Sequence, residues 1–589
     1  MSSDIAYRLS EQTKGLVSRF EGRVTRFRGR DDLLQLLRPL DTDAADEFAR
    51  GYFGEGDHTA IGIDGSRAFD ERLQMMLFYA NATGYSCPFR VGDEISFDLT
   101  RASRTGRLSA SAAIPLWAED FSDILPDTPE IDLEIEYSME KIPNSFMVLA
   151  ELYLATRALD SARIVFMDRP LSGTYSTLSR DARLLMKKGA TNLAKLPGVA
   201  HQNTLMDLSL AVNLGAPFME LPRRRRFASH RILRVLMNDD LSPDGLAEKL
   251  GLDDKQLSSA MKSLRKYDEN YGGHLLEDAG PGRIKVREGV REYWSRSVQL
   301  ARSYVDRVYE KGESPLSVGE EEWLTILDVN TVSLILLLWL CEQSIRRKVL
   351  LIGLAKDTTA TDIHRAVLPF TIKKEFVHPK ALPPSLKNDR AFLSILSAMN
   401  RELKVPWRTS GYDSAFSTMV ATSTGEFVPA RKVVSREGVF VRGFFQSRSL
   451  GNNDRIRSQV FLFDRLFDPE CDAGGVESVD VKENAGRTTV SPYYEGGEMS
   501  TVSNLILRIL ALTDNPEVYE AFGHNQLLYL ADKAVKSEIR LMRSSLRAVA
   551  DLRLGSITKR EQVYGIMTPY REQRAGTEAS RMREASKVD

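Results

Sequence analysis

The stretch that most constrains the fold runs from Asn144 to Gly173, NSFMVLAELYLATRALDSARIVFMDRPLSG. Its first half is apolar on nearly every side, which is typical of a helix buried in a large domain, and Glu151 lies in its middle. Its second half, Arg163 to Asp168, is a short β-rich apolar run that predicts a central strand with an acid at its carboxyl end. The chain is expected to break at Pro170 and at Gly173. Glu151 and Asp168 are therefore expected to point toward one place.

Two buried acids at one place need compensation, because an unpartnered ionised carboxylate in apolar surroundings costs several kcal/mol. A divalent cation is one partner that rewards clustered carboxylates. An arginine paired with Glu151 is an equally good alternative. The pattern alone leaves both interpretations open.

Length and composition limit the class of protein. The chain has 589 residues, which predicts about two to four domains. Lys and Arg number 80 and Asp and Glu 81, so net charge does not indicate a partner. Cys87, Cys341 and Cys471 are far apart and form no CxxC pair, which argues against a disulfide framework and a thiolate zinc site. We expect a cytoplasmic protein, since the N-terminus also lacks the apolar core of a signal peptide.

The most apolar run, Val332 to Cys341, is far shorter than the roughly 20 residues that a membrane span needs, and Glu342 follows it. It predicts a buried helix and no membrane contact.

The N-terminal region predicts a sheet with a third acid. Residues 1 to about 55 are predicted to be helical with a basic face formed by Arg19, Arg23, Arg26, Arg28 and Arg30. Thr59 to Ser66 then predicts a short strand ending in Asp-Gly-Ser. That tripeptide is a common turn, but Asp64 would also lie where open α/β sheets place their ligands.

The segment Glu94 to Trp117 predicts two more strands, and an acidic loop from Glu119 to Glu136 returns the chain to the Glu151 helix. An early meander followed by strand–helix alternation is the element order of a ribonuclease-H-like fold. We therefore predict an α/β protein with a ribonuclease-H-like, Piwi-like mixed sheet and flanking helices, in which acids from strands and a helix converge on one or two metal ions.

Residues 228 to about 290 differ in character. Three helices are predicted, the second starting at Ser242-Pro243 and the third capped by Asp253 with Gln256. A hairpin around Gly280-Pro281-Gly282 follows. Three helices and a hairpin predict a winged helix that interrupts the larger domain.

Basic side chains make the third of these helices a candidate DNA-binding surface. Its predicted outward residues are Lys255, Ser258, Ser259, Lys262, Arg265 and Lys266. Arg223 to Arg226 lie just before the module. Winged helices also bind proteins, and four arginines also occur in solvated linkers, so the partner is left open.

The second half of the chain predicts further strands of the sheet. Lys348 to Asp357 reads as a buried strand with Lys356 just past its end, where a lysine can neutralise a phosphate or stabilise a leaving group, or can simply be a surface lysine. The segments EFVPARKVV, GVFVRGFFQ and SQVFLFDRLFD predict strands whose aromatics and arginines either line a nucleic-acid channel or pack in the sheet.

The C-terminal region predicts a helix, NQLLYLADKAVKSEI, that carries Asp532 beside its apolar residues. The tail after it is basic and is expected to be helical and then disordered. GxxxxGK[ST], GxSxG and HExxH do not occur in the sequence, so ATP hydrolysis by this chain is not expected. Any chemistry belongs to the acids.

In order and spacing these pieces resemble the NurA nucleases of archaea and some bacteria, over residues about 55 to 540. The matching pieces are Ile63-Asp64-Gly65-Ser66-Arg67, Glu151 placed 17 residues before Asp168, FMDRPLSG, Leu354-Ala355-Lys356-Asp357 and GHNQLLYLADKAV.

The resemblance implies a dimeric, manganese-dependent DNA nuclease that works with a hexameric HerA-type ATPase, a translocase, in DNA end resection, repair or defence. It implies cleavage as a 5′–3′ exonuclease, a single-strand endonuclease or both. Asp64, Glu151 and Asp168 would hold the metal, Lys356 would lie near the scissile phosphate, and Arg67 would contact DNA. Magnesium suits the same oxygen ligands as manganese.

The resemblance has departures. Asp532 falls where many members have histidine, so its role as a metal ligand is the weakest of the set. His524-Asn525 replaces a common Tyr-Pro, and Arg169-Pro170 replaces a common Gly-Ser. These departures keep one alternative open, a catalytically silent winged-helix DNA-binding or scaffold subunit that regulates a translocase. A second alternative is a Piwi-like guide-binding protein, because that fold shares the arrangement of acids, but the sequence shows no convincing segment for the 5′-phosphate pocket that it would need.

The predicted domain division follows the same resemblance. Residues 1–227 and 316–538 are predicted to form the two parts of the NurA-like domain, 228–315 the winged-helix insertion with a helical connector, and 539–589 the basic tail.

Overall fold

The computed structural model describes most of the chain, and the remaining residues lie outside it. The described residues are 13–19, 22, 31–72, 75–117, 124, 135–198, 201–217, 228–280, 283–318, 322–378, 388–400, 402–430, 437–450, 456–483, 486–497, 500–514 and 522–560.

Groups of consecutive strands and groups of consecutive helices follow one another along the described chain. The helices are α1 Thr42–Phe53, α2 Ile135–Ala158, α3 Leu171–Lys188, α4 Thr204–Leu214, α5 Ala228–Leu236, α6 Pro243–Leu250, α7 Asp254–Asn270, α8 Tyr293–Tyr309, α9 Ile326–Arg346, α10 Leu368–Lys373, α11 Asp389–Met399, α12 Pro469–Asp472, α13 Val502–Leu512 and α14 Gln526–Arg560. The strands are β1 Leu37–Pro39, β2 Gly56–Arg72, β3 Met75–Val91, β4 Ile95–Phe97, β5 Ser103–Trp117, β6 Ile164–Met167, β7 Leu276–Asp278, β8 Ile284–Val286, β9 Leu350–Ala355, β10 Trp407–Thr409, β11 Tyr412–Asp413, β12 Met419–Ala421, β13 Phe427–Pro429, β14 Phe440–Gln446, β15 Ser449–Leu450, β16 Ile456–Arg457, β17 Phe461–Leu466, β18 Val479–Glu483 and β19 Gly486–Val490.

An 11-stranded mixed sheet organises the fold, in the order β1-β10-β14-β17-β9-β6-β2-β3-β4, with β5 paired to β3 and β11 to β14. Strands β2, β3 and β5 form an antiparallel meander. Strand β6 is parallel to β2, and β9 is parallel to β6. This succession is the ribonuclease-H-like arrangement predicted from the order of elements, so the predicted fold class is confirmed.

The register of the parallel strands brings two acids side by side. The β2–β6 pairing ends with Ile63 opposite Met167, so Asp64 and Asp168 are the next residues on neighbouring strands. The backbone N–H of Asp168 still donates to the carbonyl of Ile63 at 3.2 Å. Both acids therefore lie where the parallel pairing stops.

Strand β2 is longer than predicted, and Asp-Gly-Ser is not a turn. The strand runs 17 residues and stays paired with β3 from Gly56 opposite Val91 to Arg72 opposite Met75. Asp64 lies inside this antiparallel pairing, opposite Thr83. The prediction was wrong about the end of the strand because long antiparallel pairing with β3 continues it past the glycine.

Helices cover both faces of the sheet, which explains why β6 and β9 read as continuous apolar runs. Val165 and Met167 pack with α2 and α9 on one face. Ile164 and Phe166 pack with α1, α13 and α14 on the other. The centre of the sheet is thus covered by helices on both faces.

The predicted buried helix is present as α9, although its 21 residues exceed the apolar run. Thr325 and Asp328 form a capping box that starts it before the apolar run. Within the described chain α9 is the one helix that is long and apolar enough to cross a membrane, and 89% of its most apolar window is buried inside the protein.

The three helices and the hairpin predicted for residues 228–290 occur as α5, α6, α7 and β7–β8. Ser242 caps α6, and the Asp253 carboxylate accepts the backbone N–H of Gln256 at 2.7 Å at the start of α7. Leu241 bridges Ile284 of the hairpin. The assignment of this module to the winged-helix class stays a prediction, as does the domain division.

Several local predictions need correction. Helix α3 begins directly after Pro170 and runs through Gly173, because the Pro170 carbonyl accepts the Thr174 N–H at 3.0 Å. Leu37 to Pro39 forms β1 rather than helix, whereas residues 13–19 and α1 are helical as expected.

Some predicted features lie outside the described residues. They are Arg23, Arg26, Arg28 and Arg30, most of the acidic loop, Arg223 to Arg226, Pro281, Gly282 and the tail after Arg560.

The channel interpretation of the aromatic strands is wrong for β14 and β17. Phe444, Phe445 and Phe463 are buried in the core. Arg465 is buried and pairs with Asp472. Arg442 is largely buried and pairs with Asp362 and Asp464. These side chains pack the interior of the sheet because their strands are central ones.

Candidate functional site

Three carboxylates from three elements meet at one end of the parallel strands. Asp64 comes from β2, Glu151 from α2 and Asp168 from the residue after β6. Asp168 and Glu151 are the charged groups that act most strongly on Asp64. Helix α2 approaches β2 so closely that a Cβ on Gly65 would lie 2.5 Å from Oε1 of Glu151. Glycine at position 65 is therefore required for this convergence.

Asp64 has little compensation for its burial. Its residue is 6% exposed, and its Oδ1 accepts the backbone N–H of Gly65 at 2.8 Å. Burial, followed by repulsion from Asp168 and Glu151, raises its pKa to about 9, although Lys356 acts in the opposite direction. Without a cation at the site, Asp64 holds a proton at neutral pH.

Asp168 is paired with Lys356. The Nζ of Lys356 donates to Oδ2 of Asp168 at 2.6 Å, and the lysine side chain is 37% exposed. Burial opposes the charge of Lys356, but Asp168 and Asp64 outweigh it and raise the pKa of the lysine. The predicted lysine past β9 is thus an ammonium that reaches both the acids and solvent.

Glu151 is paired with Arg169, the residue that follows Asp168. The Arg169 Nε donates to Oε2 of Glu151, and the two side chains are only 13% and 3% exposed. Burial opposes the charge of Arg169, but Glu151, Asp64 and Asp168 together raise its pKa. The sequence left open whether Glu151 is compensated by a divalent cation or by an arginine, and in this structure its partner is an arginine.

Asp532 and His524 lie at the edge of the cluster. Asp532, on α14, pairs with Lys536 at 2.7 Å and contributes to the field at Lys356. His524 is buried against Phe461, with 5.8 Å between ring centroids, and its Nε2 has no hydrogen-bond partner among the described residues. Burial and Lys356 lower its pKa to about 3, so its imidazole is neutral.

Polar contacts fix α14 against the meander and so set the position of Asp532. The Asn81 amide donates to Glu538 at 3.0 Å, and Arg543 donates to Asp70 at 2.9 Å. Sequence reasoning missed these contacts, since they join residues more than 450 positions apart.

The predicted DNA-binding residues lie in two places. Arg67 is on β2, three residues from Asp64, and pairs with Glu140 at 3.2 Å. Lys262, Arg265 and Lys266 are exposed on α7, as predicted. The structure does not bring the α7 residues into contact with the carboxylates.

The donor set suits a hard divalent cation, because it consists of carboxylate oxygens and includes Asp64, which has no bonded cationic partner within the described part of the chain. Among the described residues, however, no three His, Cys, Asp or Glu side chains are disposed together as metal ligands. Arg169 and Lys356 occupy oxygens of Glu151 and Asp168 in this arrangement. Asp64 and Asp168 are the residues that fit a cation best.

The fold and the site together define a ribonuclease-H-like protein with a buried carboxylate cluster. No protein-family model matches the chain, and no curated protein sequence matches it.

Solved structures that resemble the chain are those of NurA. A NurA structure with manganese is 12% identical over 92% of this chain and 98% of that one, with a TM-score of 0.34. NurA bound to dAMP and manganese is 12% identical over 92% and 96%, with a TM-score of 0.37. The NurA nuclease from Sulfolobus solfataricus is 9% identical over 92% and 97%, with a TM-score of 0.34.

Proposed function

We propose that this chain is a metal-dependent deoxyribonuclease that hydrolyses phosphodiester bonds. The observation that supports the proposal is the convergence of Asp64, Glu151 and Asp168 where the parallel pairing of β2 and β6 stops, with Lys356 bonded to one of them. Like charges in a buried place oppose folding, so packing alone does not account for them. The sequence resemblance to NurA supplies the substrate class.

Asp64 and Asp168 would hold the divalent ion, Mn²⁺ or Mg²⁺. When bound, such an ion polarises the phosphate and makes a water molecule a better nucleophile. Asp64 must first lose the proton that its raised pKa retains, so binding of the ion is favoured as pH rises. Asp168 then serves both the ion and Lys356.

Lys356 would act on the phosphate. Its ammonium is held by Asp168 at 2.6 Å and remains partly exposed, so it can approach a phosphate oxygen that enters from solvent. A fixed positive charge there stabilises the negative charge that develops as the leaving oxygen departs. Arg67, on the same strand as Asp64, would contact the DNA backbone.

The wider role belongs to the same proposal. The sequence resemblance implies a HerA-type hexameric ATPase as the partner and a homodimer as the oligomeric state. It also implies a cytoplasmic location and a role in DNA end resection, repair or defence. The exposed apolar residues Leu541, Val549 and Leu552 on α14 provide a surface for such a partner.

The α14 surface can be tested by co-purification. Leu541→Ser with Leu552→Ser should reduce recovery of a HerA-type partner at least about tenfold, because both apolar contacts would be lost. Ser544→Ala with Ser545→Ala, on the same helix, is the control and should leave recovery unchanged. Equal recovery with both double variants would exclude this surface.

The nuclease activity is tested with labelled linear and single-stranded DNA. Cleavage is measured for the parent, Asp64→Asn and Asp168→Asn in Mn²⁺, Mg²⁺ or chelator, with and without a HerA-type partner. Asp57→Asn is the matched control, since Asp57 lies on the same strand with an exposed side chain. Metal-dependent cleavage that is lost in the two site variants and kept in the control is the expected result.

The silent-subunit alternative has one observation in its favour, the pairing of Glu151 with Arg169. Under that alternative the parent binds DNA but does not cleave it with either metal, even when the partner is present. The same experiment therefore decides between the two functions.

A further inference from the structure

We propose that Arg169 holds the place of one divalent ion in the carboxylate cluster, so that this site binds a single divalent ion. The inference rests on the proposed metal-dependent function and specifies how many ions the site takes. In this proposal Arg169 is a positioning residue, because its guanidinium occupies a carboxylate oxygen of Glu151.

The first support is the location of the guanidinium. Arg169 is bonded to Glu151 and lies within the electrostatic reach of Asp64 and Asp168, so it interacts with all three acids of the cluster. Glu151 is buried, and Arg169 is largely buried. A guanidinium does not lose its proton in a protein, so this positive charge is permanent.

The second support is the balance of charge. Once Asp64 has released its proton to bind an ion, the three carboxylates of Asp64, Glu151 and Asp168 face two cations, Arg169 and Lys356, which leaves an excess of one negative charge. Asp532 does not change the balance because it is paired with Lys536. One divalent ion reverses this excess, whereas a second ion would add two further positive charges beside a guanidinium and repel it.

The third support is that the backbone holds Arg169 in place. A Cβ on Gly353 of β9 would lie 2.5 Å from the Arg169 carbonyl oxygen, so the backbone at Arg169 is packed directly on the neighbouring strand. Pro170 fixes the next residue, and α3 starts immediately afterwards. The Arg169 side chain therefore extends toward the cluster from a backbone position that is fixed.

The three acids would then have different partners. Asp64 and Asp168 remain to hold the ion, while the oxygen of Glu151 that faces Arg169 is committed to the guanidinium. Replacing Arg169 by a neutral residue should release Glu151 and remove the repulsion, and so open a second position for an ion.

The test counts Mn²⁺ ions per chain in the full-length protein by calorimetric titration and by electron paramagnetic resonance of bound Mn²⁺. The parent should bind one ion with a six-line spectrum typical of an isolated Mn²⁺. Arg169→Gln, which removes the positive charge, should bind two ions and show a broadened spectrum. Arg169→Lys keeps the charge and should bind one.

Arg180→Gln on α3 is the matched control, because Arg180 is an exposed arginine paired with Asp181, and it should bind one ion. Arg169→Met is a second neutral variant in case Arg169→Gln does not fold, which circular dichroism and thermal unfolding would reveal. Two ions in the parent, or one ion in the folded neutral variants, would overturn the proposal. No Mn²⁺ binding by the parent would instead overturn the proposed metal-dependent function on which it rests.

Discussion

Two buried charge clusters in the same sheet differ in how their charges are compensated. In the carboxylate cluster, Asp64 accepts a hydrogen bond from the Gly65 backbone but lies beside two other acids. In the second cluster, on β17, Arg465 makes two hydrogen bonds to Asp472, at 2.6 and 2.8 Å. Burial is similar in the two places, but only the second pairs each acid with a base.

The neighbouring Arg442 shows the same compensation. It bonds to Asp362 at 2.5 Å and lies 3.2 Å from Asp464, which also accepts the Ser172 N–H at 2.9 Å. These partners make the second cluster a set of structural ion pairs. Burial of charge is common to both clusters, so it is the incomplete compensation around Asp64 that marks the carboxylate cluster as the candidate site.

The largest expected difference between the clusters is in activity. Asp64→Asn should lower the DNA cleavage rate about 10³-fold, a typical loss when a group that stabilises the transition state is removed. Its free energy of unfolding should not decrease at neutral pH, since asparagine keeps the uncharged state that burial and the neighbouring acids impose on Asp64 there. Cleavage kinetics and urea unfolding measure the two effects. A variant that loses stability as well as activity would place Asp64 among the structural charges.

Asp472→Ala should have the opposite effect. It leaves Arg465 buried without its bidentate partner, which should lower the free energy of unfolding by about 3–5 kcal/mol. Urea unfolding measures the change, and Glu470→Ala, at an exposed position of the same short helix, should stay within about 0.5 kcal/mol of the parent. A loss below about 1 kcal/mol for Asp472→Ala would contradict the comparison.

The pH dependence of stability should separate the clusters further. The pKa of Asp64 is raised from 3.8 to about 9, so between those pH values the folded chain holds a proton that the unfolded chain has released. Stability should therefore fall as pH rises, by up to about 1.4 kcal/mol per pH unit from this group. In chelator, urea unfolding of Asp64→Asn at pH 6, 7 and 8 should show a shallower decline than the parent. Parallel declines would disprove the assignment, and Asp57→Asn should match the parent.

The smallest expected effect is at the exposed basic surface of α7, where charges are solvated. Lys262→Ala, Arg265→Ala and Lys266→Ala together should weaken duplex binding about tenfold and lower its salt dependence by up to about 0.9 per lost phosphate contact. Cleavage at saturating DNA should not change. Titrations at several salt concentrations measure this, with Lys482→Ala and Arg487→Ala, both exposed, as the control. Unchanged duplex binding would point to a protein partner for the module.

Much of the candidate site could be predicted, although Asp64 lies within β2 and not at its end. Asp64, Asp168 and Lys356 all come directly after apolar runs, and parallel strands bring such residues to one edge of a sheet. Glu151 was recognisable as an acid within an otherwise apolar helix. The pattern of apolar residues along the sequence is enough to predict positions of this kind.

The rest depends on contacts that no local pattern encodes. The arginine alternative for Glu151 was foreseen, but its partner Arg169 was not, because the direction of that side chain depends on packing against β9. The arginines of β14 and β17 were open to a channel interpretation because their partners, such as Asp362, come from distant elements. Likewise the end of β2 is decided by its pairing with β3.

Because of the register between β2 and β6, the relative orientation of the two acids depends on whether a strand gains or loses an odd or an even number of residues. Asp64 and Asp168 share a face because each follows the last parallel pair, Ile63 with Met167. Removal of one residue from the paired part of either strand would turn one of the acids to the opposite face of the sheet. Loops that join these strands can therefore change in length during evolution, whereas within the strands only changes by an even number of residues preserve the relative orientation of the two acids.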